Sequence, residues 1–254
     1  MKYTVLTLFP EITDAFFAAS ILGKAVKRGI IQYRAINIRD FAQDKHKTCD
    51  DAPYGGGAGM LMMAEPLSRA LEAAGALKKN KAAGGEGRAN TPRVIYLSPS
   101  GKTFNQAMAL ELAAEKELIL VCGRYEGIDQ RVIDMYIDDE VSAGDYVLSG
   151  GEIAALVLID STYRLVDKVI KRESLEEESF SMGLLEYPQY TRPEIFDNIK
   201  VPDVLLGGHH ENIRKWRLEQ QVEKTLNCRP DLIQRGRALG IFNEEIIRII
   251  GDRK

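Results

Sequence analysis

The sequence predicts an α/β fold built on a mostly parallel sheet, because short apolar runs alternate with stretches whose apolar residues recur at helical spacing. The runs lie at residues 5–9, 94–97 and 118–121, with a weaker run at 30–38. Continuous apolar runs of this length are typical of strands that are buried on both faces. A chain of 254 residues can place such a sheet in one large domain or in two modest ones.

Helical patterns lie between the predicted strands. The first helix is predicted from Phe16, Ala19, Leu22, Ala25 and Val26, and the second from Ala107, Leu110, Leu112 and Ala113. An apolar stretch at 153–159 predicts a third helix, which directly follows a glycine-rich segment. Residues 77–91 are rich in Lys, Gly, Ala and Asn, so we expect an exposed and mobile loop there.

The character of the chain changes after residue 164. Residues 168–178 are dominated by charge and predict a flexible linker, while 187–202 contain three prolines and predict an extended segment. From residue 211 onward, apolar residues recur at helical spacing in three stretches. We therefore predict an α/β domain at 1–165, a flexible linker at 166–185 and a mainly helical domain at 186–254.

The bulk charge points to no particular partner. The formal net charge is −3, with 45% hydrophobic and 28% charged residues, which is ordinary for a globular protein. Two regions are nonetheless basic: residues 24–48 hold seven Lys or Arg against two Asp, and 207–237 hold seven against four acids. These regions are either phosphate-binding surfaces or solvated faces.

Cysteine usage and the first residues predict a cytoplasmic protein. Cys49, Cys122 and Cys228 are widely spaced and odd in number, which predicts no disulfide framework, and the three histidines are too scattered for a zinc site. Residues 1–10 suit a short buried strand. They lack the cleavage region of a signal peptide and are too few to span a membrane. We therefore expect a reducing, cytosolic location and no membrane partner.

Two segments resemble nucleotide-binding loops without meeting their requirements. Residues 55–59 contain a G-x-G-x-G pattern, but no strand immediately precedes it, and Met62 stands where a dinucleotide motif needs its third glycine. The run from residue 94 leads to Gly101-Lys102-Thr103, but Tyr96 occupies the first-glycine position of a phosphate-binding loop. We expect neither a dinucleotide nor a nucleoside triphosphate at these loops.

Two further glycine-rich loops follow each other closely, at 122–127 and at 142–152. The first comes directly after the strand predicted at 118–121, and the second precedes the helix predicted at 153–159. Backbone N–H and C=O groups at strand ends suit a pocket that hydrogen-bonds a flat polar ligand. Neither loop has the spacing that cradles phosphates. The residues alone indicate a ligand pocket in an α/β protein and leave its ligand unassigned.

The loops belong to a longer set of unusual segments through which the chain resembles the bacterial tRNA (guanine-N1)-methyltransferases. These segments are residues 50–60 (DDAPYGGGAGM), 96–99 (YLSP), 122–129 (CGRYEGID), 144–152, 184–193 (LLEYPQYTRP) and 209–217. They occur in family order between residues 9 and 230, which is nearly the whole chain. Each segment is long, so the resemblance is specific.

The resemblance implies a fold and a cofactor. Members of this family are SPOUT-type methyltransferases, in which a deep trefoil knot forms the pocket for S-adenosylmethionine, followed here by a small helical C-terminal domain. Knots are nearly absent from proteins in general, and periodicity cannot reveal one. By similarity, the residues expected around the cofactor are Tyr96, Leu97, Ser98, Pro99, Gly123, Tyr125, Glu126, Ser142, Gly144, Tyr146, Leu148, Gly150 and Gly151.

The reaction that the resemblance implies, methylation of guanine N1, needs two kinds of catalytic group. N1 must lose its proton, so a general base is required, and the negative charge that moves onto O6 requires a cationic or N–H donor. By similarity, Glu178 is the base, with Glu177 as the alternative. Arg164 is the O6 partner, although a surface salt bridge with Asp160 four residues earlier is the competing interpretation.

The resemblance also implies partners. It predicts a homodimer whose active sites lie between subunits, and tRNA modified at position 37, next to the anticodon. His46, Lys47, Asp50, Arg214 and Arg217 are the residues expected to contact tRNA. Family members depend on magnesium, whereas the transfer chemistry demands no metal, so we predict no metal-ligating residue and leave a Mg²⁺ requirement open. The alternatives are another SPOUT RNA methyltransferase, acting on a different base or a ribose 2′-hydroxyl, and a non-catalytic RNA-binding protein of the same fold.

Overall fold

A computed structural model of the chain describes residues 1–79, 91–171, 174–175 and 177–252. Contacts within the chain define two compact units, Met1–Ile170 and Lys171–Lys254. Most of the loop predicted at 77–91 lies outside the described residues. In the part of the chain that the structure describes, no helix has the length and apolar character needed to cross a membrane.

The first unit is a mixed α/β unit, as predicted. Its elements in chain order are β1 (Lys2–Thr7), α1 (Pro10–Ala18), α2 (Ser20–Lys27), β2 (Gln32–Asn37), β3 (Asp50–Asp51), β4 (Leu61–Met62), α3 (Ala64–Ala74), β5 (Arg93–Thr103), α4 (Gln106–Ala113), β6 (Glu117–Cys122), α5 (Gln130–Tyr136), β7 (Asp139–Ser142) and α6 (Gly151–Tyr163). A short 3₁₀ helix, Ile38–Phe41, follows β2. Strands β3 and β4 form a small antiparallel pair.

The central sheet has five strands in the order β2-β1-β6-β5-β7, and every neighbouring pair is parallel. Alternate residues of β6 bury themselves in two different apolar clusters. Leu118 and Leu120 pack on one face, while Ile119 and Val121 pack on the other. Because side chains alternate across a strand, this apolar run is continuous in sequence, which explains why it was predictable.

The prediction of a single helix over residues 16–26 is wrong in one respect, because this stretch belongs to two helices, α1 and α2. Ala19 separates α1 from α2 with an extended backbone (φ −95°, ψ 152°), and Ser20 follows with φ +51°. The two helices pack closely, since a Cβ at Gly23 would overlap the backbone carbonyl group of Ala18. The apolar spacing crosses the break unchanged, so periodicity could not indicate it.

Strand β7 and helices α3 and α5 were not predicted. β7 is only four residues long and begins with two acids, Asp139 and Glu140, so it lacks the apolar signature of the other strands. It is an edge strand of the sheet, where two of its four residues, Val141 and Ser142, are buried. This strand matters for function because it ends at the cavity described below.

The second unit contains a small hairpin and a group of helices. Its elements are β8 (Ile195–Phe196), β9 (Ile199–Lys200), α7 (Asp203–Leu206), α8 (His210–Cys228), α9 (Pro230–Ala238) and α10 (Glu244–Asp252). The periodicity from residue 211 onward corresponds to α8, α9 and α10. The segment 187–202, predicted as extended, includes an antiparallel hairpin whose turn residues Asp197 and Asn198 both have positive φ. Buried apolar residues of α8, α9 and α10 share one core with Leu184 and Phe242.

Candidate active site

A cavity of about 310 Å³ opens where β6 and β7 end and where the buried, apolar part of β5 ends. Ligands of open parallel sheets bind outside the carboxyl ends of the strands, so this position is the expected one for a functional site. The walls are the segment after Leu97, the loop after Cys122, the loop after Ser142 and the first turn of α6.

The first wall arises from an irregularity in β5. Val141 of β7 pairs with two residues of β5, first with Leu97 and again with Lys102. The residues between them therefore leave the sheet, and Ser98, Pro99 and Ser100 line the cavity. The strand returns against β7 at Gly101, where a Cβ would overlap the backbone of Glu140 and Val141.

The loop after Cys122 forms the second wall. Gly123 lies against Tyr96, so that a Cβ on this glycine would come within 2.8 Å of the tyrosine ring. Tyr125 has φ +59° and Gly127 has φ +130°, and the Gly127 N–H donates to the Arg124 carbonyl at 3.1 Å. The loop therefore presents its backbone to the cavity in a tight turn. Burial raises the pKa of the Tyr96 hydroxyl, which keeps this ring neutral.

The loop after Ser142 forms the third wall. The Ser142 hydroxyl donates to the Gly144 carbonyl at 3.0 Å, and the Tyr146 hydroxyl donates to the Ala143 carbonyl at 3.2 Å. Gly144 has φ +153°, and a Cβ there would lie 2.5 Å from the Tyr146 ring. Tyr146 and Leu148 line the cavity yet stay partly exposed, which gives this wall an open apolar surface.

Backbone contacts join the two glycine loops. The Gly151 N–H donates to the Gly123 carbonyl at 2.9 Å, and Arg124 and Gly150 form an isolated antiparallel bridge. Gly151 has no room for a side chain, because its Cβ would come within 2.8 Å of the Cys122 Cα. Close backbone approach thus explains a glycine at this junction.

Two charged residues at the same junction were not among the predicted site residues. The Arg124 Nε lies 3.3 Å from the Glu152 Oε2, and the Glu152 side chain is only 2% exposed. The guanidinium also stacks over the Phe9 ring, 4.4 Å from its centroid. A charged residue inside each glycine-rich loop was the available signal, but such residues are usually solvated, so sequence patterns offered no reason to select them.

A model of the family described as tRNA (Guanine-1)-methyltransferase TrmD matches residues 1–235 of the chain. The chain belongs to this methyltransferase family. It is similar to proteins named tRNA (guanine-N(1)-)-methyltransferase in three organisms. The relative in Treponema denticola is 59% identical over 250 residues, covering 98% of each chain. That in Treponema pallidum is 57% identical over 96% of this chain and 93% of its own. That in Borrelia duttonii is 57% identical over 91% and 92%.

The structure brings together all of the residues that the methyltransferase resemblance placed around a cofactor. Every one of them lines the cavity: Tyr96, Leu97, Ser98, Pro99, Gly123, Tyr125, Glu126, Ser142, Gly144, Tyr146, Leu148, Gly150 and Gly151. The lining also includes residues that were not predicted, among them Ser100, Arg124 and Ala154. Their role in cofactor binding stays a prediction for this member of the methyltransferase family.

Arg164, the predicted O6 partner, lies away from the cavity within one copy of the chain. It is the C-terminal cap of the 13-residue helix α6, whose first residue, Gly151, lines the cavity. At 1.5 Å per residue, the two positions are about 20 Å apart. Burial and then the nearby Asp160 raise the pKa of the Tyr163 hydroxyl, and the charge of Arg164 opposes this effect.

The acidic residues predicted as alternative bases lie in the second unit and differ in their contacts. Glu177 accepts a hydrogen bond from the buried Tyr187 hydroxyl at 2.6 Å and pairs with Arg217 at 3.1 Å. The Arg217 guanidinium also lies over the Tyr187 ring. Glu178 begins a turn, in which its backbone carbonyl accepts from the Ser181 hydroxyl at 2.7 Å. The contacts described for Glu177 are thus made by its carboxylate, whereas the one described for Glu178 is made by its backbone.

The residues predicted to contact tRNA are spread over both units. Asp50 accepts a hydrogen bond at 3.1 Å from the hydroxyl of Tyr125, a cavity residue. Burial, and then this hydrogen bond, raise the pKa of the Tyr125 hydroxyl. Lys47 pairs with Asp40 at 2.8 Å on the surface, and the His46 N–H donates to Asp44.

In the second unit, Arg214 pairs with two carboxylates, those of Glu211 at 3.0 Å and Glu245 at 2.9 Å. Arg217 pairs with Glu177, as described above. Both arginines are partly exposed and keep surface for another partner, although their charge is offset locally. Within residues 1–79, 91–171, 174–175 and 177–252, no cluster of three or more His, Cys, Asp or Glu could hold a metal ion.

Proposed function

We propose that this chain transfers a methyl group from S-adenosylmethionine to N1 of the guanine at position 37 of tRNA. The observation that carries this proposal is the cavity at the carboxyl ends of β6, β7 and the buried part of β5, walled by two glycine loops, in a chain of the tRNA (guanine-1)-methyltransferase family. Because tRNA is matured in the cytoplasm, we also propose a cytoplasmic location.

The cavity fits a molecule such as S-adenosylmethionine in size and in chemistry. Its volume of about 310 Å³ lies within the range of small-molecule sites. Backbone groups of both loops can read the edge of an adenine ring, and Leu97, Tyr146 and Leu148 supply apolar surface. Side chains at Gly123 or Gly144 would intrude on this cradle. When bound, the cofactor supplies a methyl group made electrophilic by its sulfonium.

The trefoil knot of SPOUT enzymes is part of the proposal. Two contacts support it: β5 passes Val141 twice, and the segment around Gly150 packs backbone to backbone on the segment around Gly123. Both contacts place stretches of chain that are distant in sequence against each other at the cavity. Chain crossings of this tightness leave room only for glycine, as at Gly101 and Gly151.

Glu178 is the proposed general base, which takes the N1 proton of guanine. The family resemblance supports this choice, because it places the base at residue 178 and leaves Glu177 as the alternative. Glu177 would have to give up the Tyr187 hydrogen bond and the Arg217 ion pair in order to accept a proton. A base must instead be within hydrogen-bond reach of the proton that it removes.

Arg164 is the proposed donor to O6, and its position supports a site shared between two copies of the chain. In one copy, Arg164 and the cavity lie at opposite ends of α6, about 20 Å apart. Two α6 helices packed antiparallel across a two-fold axis would bring the end of each helix to the beginning of the other. Each cavity would then receive Arg164 from the second copy, and the family resemblance implies that Glu178 also comes from that copy.

Helix α6 has an apolar surface suited to such a homodimer. Ile153 is 53% exposed and Val157 is 41% exposed, and residues four apart lie on the same side of a helix. Apolar side chains in a row on a surface mark interaction sites. We propose that this row lies in the dimer interface, and that His46, Lys47, Asp50, Arg214 and Arg217 contact tRNA.

The test is to incubate an unmodified tRNA transcript carrying guanine at position 37 with labelled S-adenosylmethionine and to identify the labelled nucleoside by mass spectrometry. We expect 1-methylguanosine, and no label when position 37 is adenine. A label on another base or on a ribose would identify a different RNA methyltransferase. Binding of tRNA without any transfer would indicate a non-catalytic RNA-binding protein.

A further inference from the structure

We infer that Arg124 and Glu152 form a buried ion pair that positions the second glycine loop and thereby sets the affinity of the cavity for its cofactor. The inference rests on the proposed function, because the ligand of the cavity is taken to be S-adenosylmethionine. Both residues are positioning residues, which act through the backbone around Gly150.

The first observation is the burial of the pair. The Glu152 side chain is 2% exposed and the Arg124 side chain is 21% exposed. Burial of a carboxylate is costly unless it is paired and hydrogen-bonded. Glu152 meets this condition, because its Oε2 lies 3.3 Å from the Arg124 Nε and its Oε1 accepts from the Thr7 hydroxyl at 2.7 Å.

The second observation is that the pair joins four segments of chain. Glu152 lies in the first turn of α6, where a negative charge also interacts favourably with the helix dipole. Thr7 ends β1, and its hydroxyl accepts from the Phe9 N–H at 2.9 Å. Arg124 belongs to the first glycine loop, and its Nη1 donates to the Ser149 carbonyl of the second loop at 2.9 Å.

The third observation is the crowding at Gly150, which lines the cavity. A Cβ on Gly150 would lie 2.5 Å from the Arg124 Nε and 2.6 Å from the Glu152 Oε2. The pair thus occupies the space in which a side chain would stand. The Arg124–Ser149 bond and the Gly151–Gly123 bond hold the backbone on both sides of this glycine.

A pair with a purely structural role and a pair that positions the loop predict different behaviour in a double variant. Replacing both members of a buried pair by well-packed residues of similar volume removes both charges and often leaves stability unchanged, whereas removing one member leaves an uncompensated charge. The Ser149 carbonyl, however, loses its donor whenever Arg124 is replaced by an apolar residue. In the double variant, stability should therefore recover while the affinity for the cofactor stays weakened.

The experiment compares R124M, E152Q and the double variant with the unmodified chain. Cofactor affinity is measured by titration calorimetry with S-adenosylmethionine and with S-adenosylhomocysteine, and stability by thermal unfolding. The control is R131M, because Arg131 is 70% exposed and forms an ion pair with Asp129 on the surface. R131M therefore removes the same positive charge as R124M, but at a position outside the cavity.

We expect R124M to lower both the unfolding temperature and the affinity for the cofactor. The affinity should fall by tenfold or more, which corresponds to a loss of about 1.4 kcal/mol or more of binding free energy. The double variant should recover the unfolding temperature and keep the weakened affinity, while R131M should match the unmodified chain in both. Recovery of affinity together with stability, or an unchanged affinity in R124M, would overturn the inference. An unmodified chain that binds neither ligand would contradict the proposed function instead.

Discussion

Glu177 and Glu178 are adjacent in sequence but differ in the contacts that they make. The Glu177 carboxylate accepts hydrogen bonds from the Tyr187 hydroxyl and from the Arg217 guanidinium, and so holds both side chains in place. Glu178 closes a turn through its backbone carbonyl. The resemblance left a one-residue shift between these acids open, and Glu178 as the base stays a prediction.

Replacing Glu178 with Gln should separate binding from transfer. The amide keeps the size of the side chain but cannot accept the N1 proton, so single-turnover methylation at saturating cofactor should fall by about 100-fold or more. Cofactor affinity, measured by calorimetry, should stay the same. The matched control is E177Q, in which the carboxylate that accepts from Tyr187 and pairs with Arg217 is lost. It should transfer at a near-normal rate when tRNA is saturating, because these contacts hold side chains and remove no proton. Near-normal transfer by E178Q would rule out this assignment.

Replacing Arg164 with Ala tests the proposed donor to O6. Loss of a donor to a developing negative charge should slow single-turnover transfer by about 100- to 1,000-fold, with the unfolding temperature unchanged. D160N provides the comparison, because the competing interpretation pairs Arg164 with Asp160. If R164A is merely less stable, and its folded fraction transfers at the normal rate, the salt-bridge interpretation is the correct one.

At the scale of elements, strand β5 determines the shape of the cavity. Its apolar, buried part ends at Leu97, but the strand continues to Thr103 with mostly exposed residues. Between these parts it leaves the sheet and returns opposite the same residue of β7. The return requires Gly101, since any side chain there would overlap the backbone of β7.

Substitution of Gly101 by Ala should therefore disturb the sheet and the cavity together. Backbone atoms cannot move aside as the end of a flexible side chain can, so we expect a loss of about 1–3 kcal/mol of unfolding free energy and weaker cofactor binding. Urea unfolding and calorimetry measure the two effects. G207A is the control, because its added Cβ would make only ordinary contacts at 3.8 Å. Equal stability of the two variants would contradict this account of the crossing.

The elements show which features sequence patterns could predict. Strands β1, β5 and β6 were predictable because their side chains face two apolar layers, and α8 to α10 because apolar residues recur on one side. Strand β7 could not be predicted in this way, because two of its four residues are acids. The lining of the cavity followed from the family resemblance, and it includes every residue predicted to surround the cofactor. The Arg124–Glu152 pair was missed because charged residues in loops usually face water.

At the scale of the whole molecule, the position of Arg164 raises the question of which copy completes which site. The cavity belongs to the first unit, while Glu178 lies in the second. If the active site is shared, a cavity in one copy uses Glu178 from the other. Two differently inactivated copies can then combine into one working site.

Mixing G150V with E178Q subunits tests this arrangement. Random pairing makes half of the dimers mixed, and each mixed dimer holds one intact cavity served by one intact Glu178, so roughly a quarter of the normal sites should work. The measurement is methylation of tRNA after unfolding and joint refolding, compared with each variant refolded alone. Absence of any recovered activity, in a sample shown to contain mixed dimers, would place both groups in the same copy.

Part of the lining of the cavity is synthesised after most of the central sheet. Four of the five strands of the central sheet, β1, β2, β5 and β6, are complete once Cys122 has been made, but the last wall comes from residues 142–151. A nascent chain from which only residues 1–140 have emerged therefore includes these four strands but lacks the last wall of the cavity. The nascent sheet must form through burial of its own apolar residues, without help from a bound ligand. Ligand binding consequently requires a chain that extends at least into the first turn of α6, where the lining of the cavity ends.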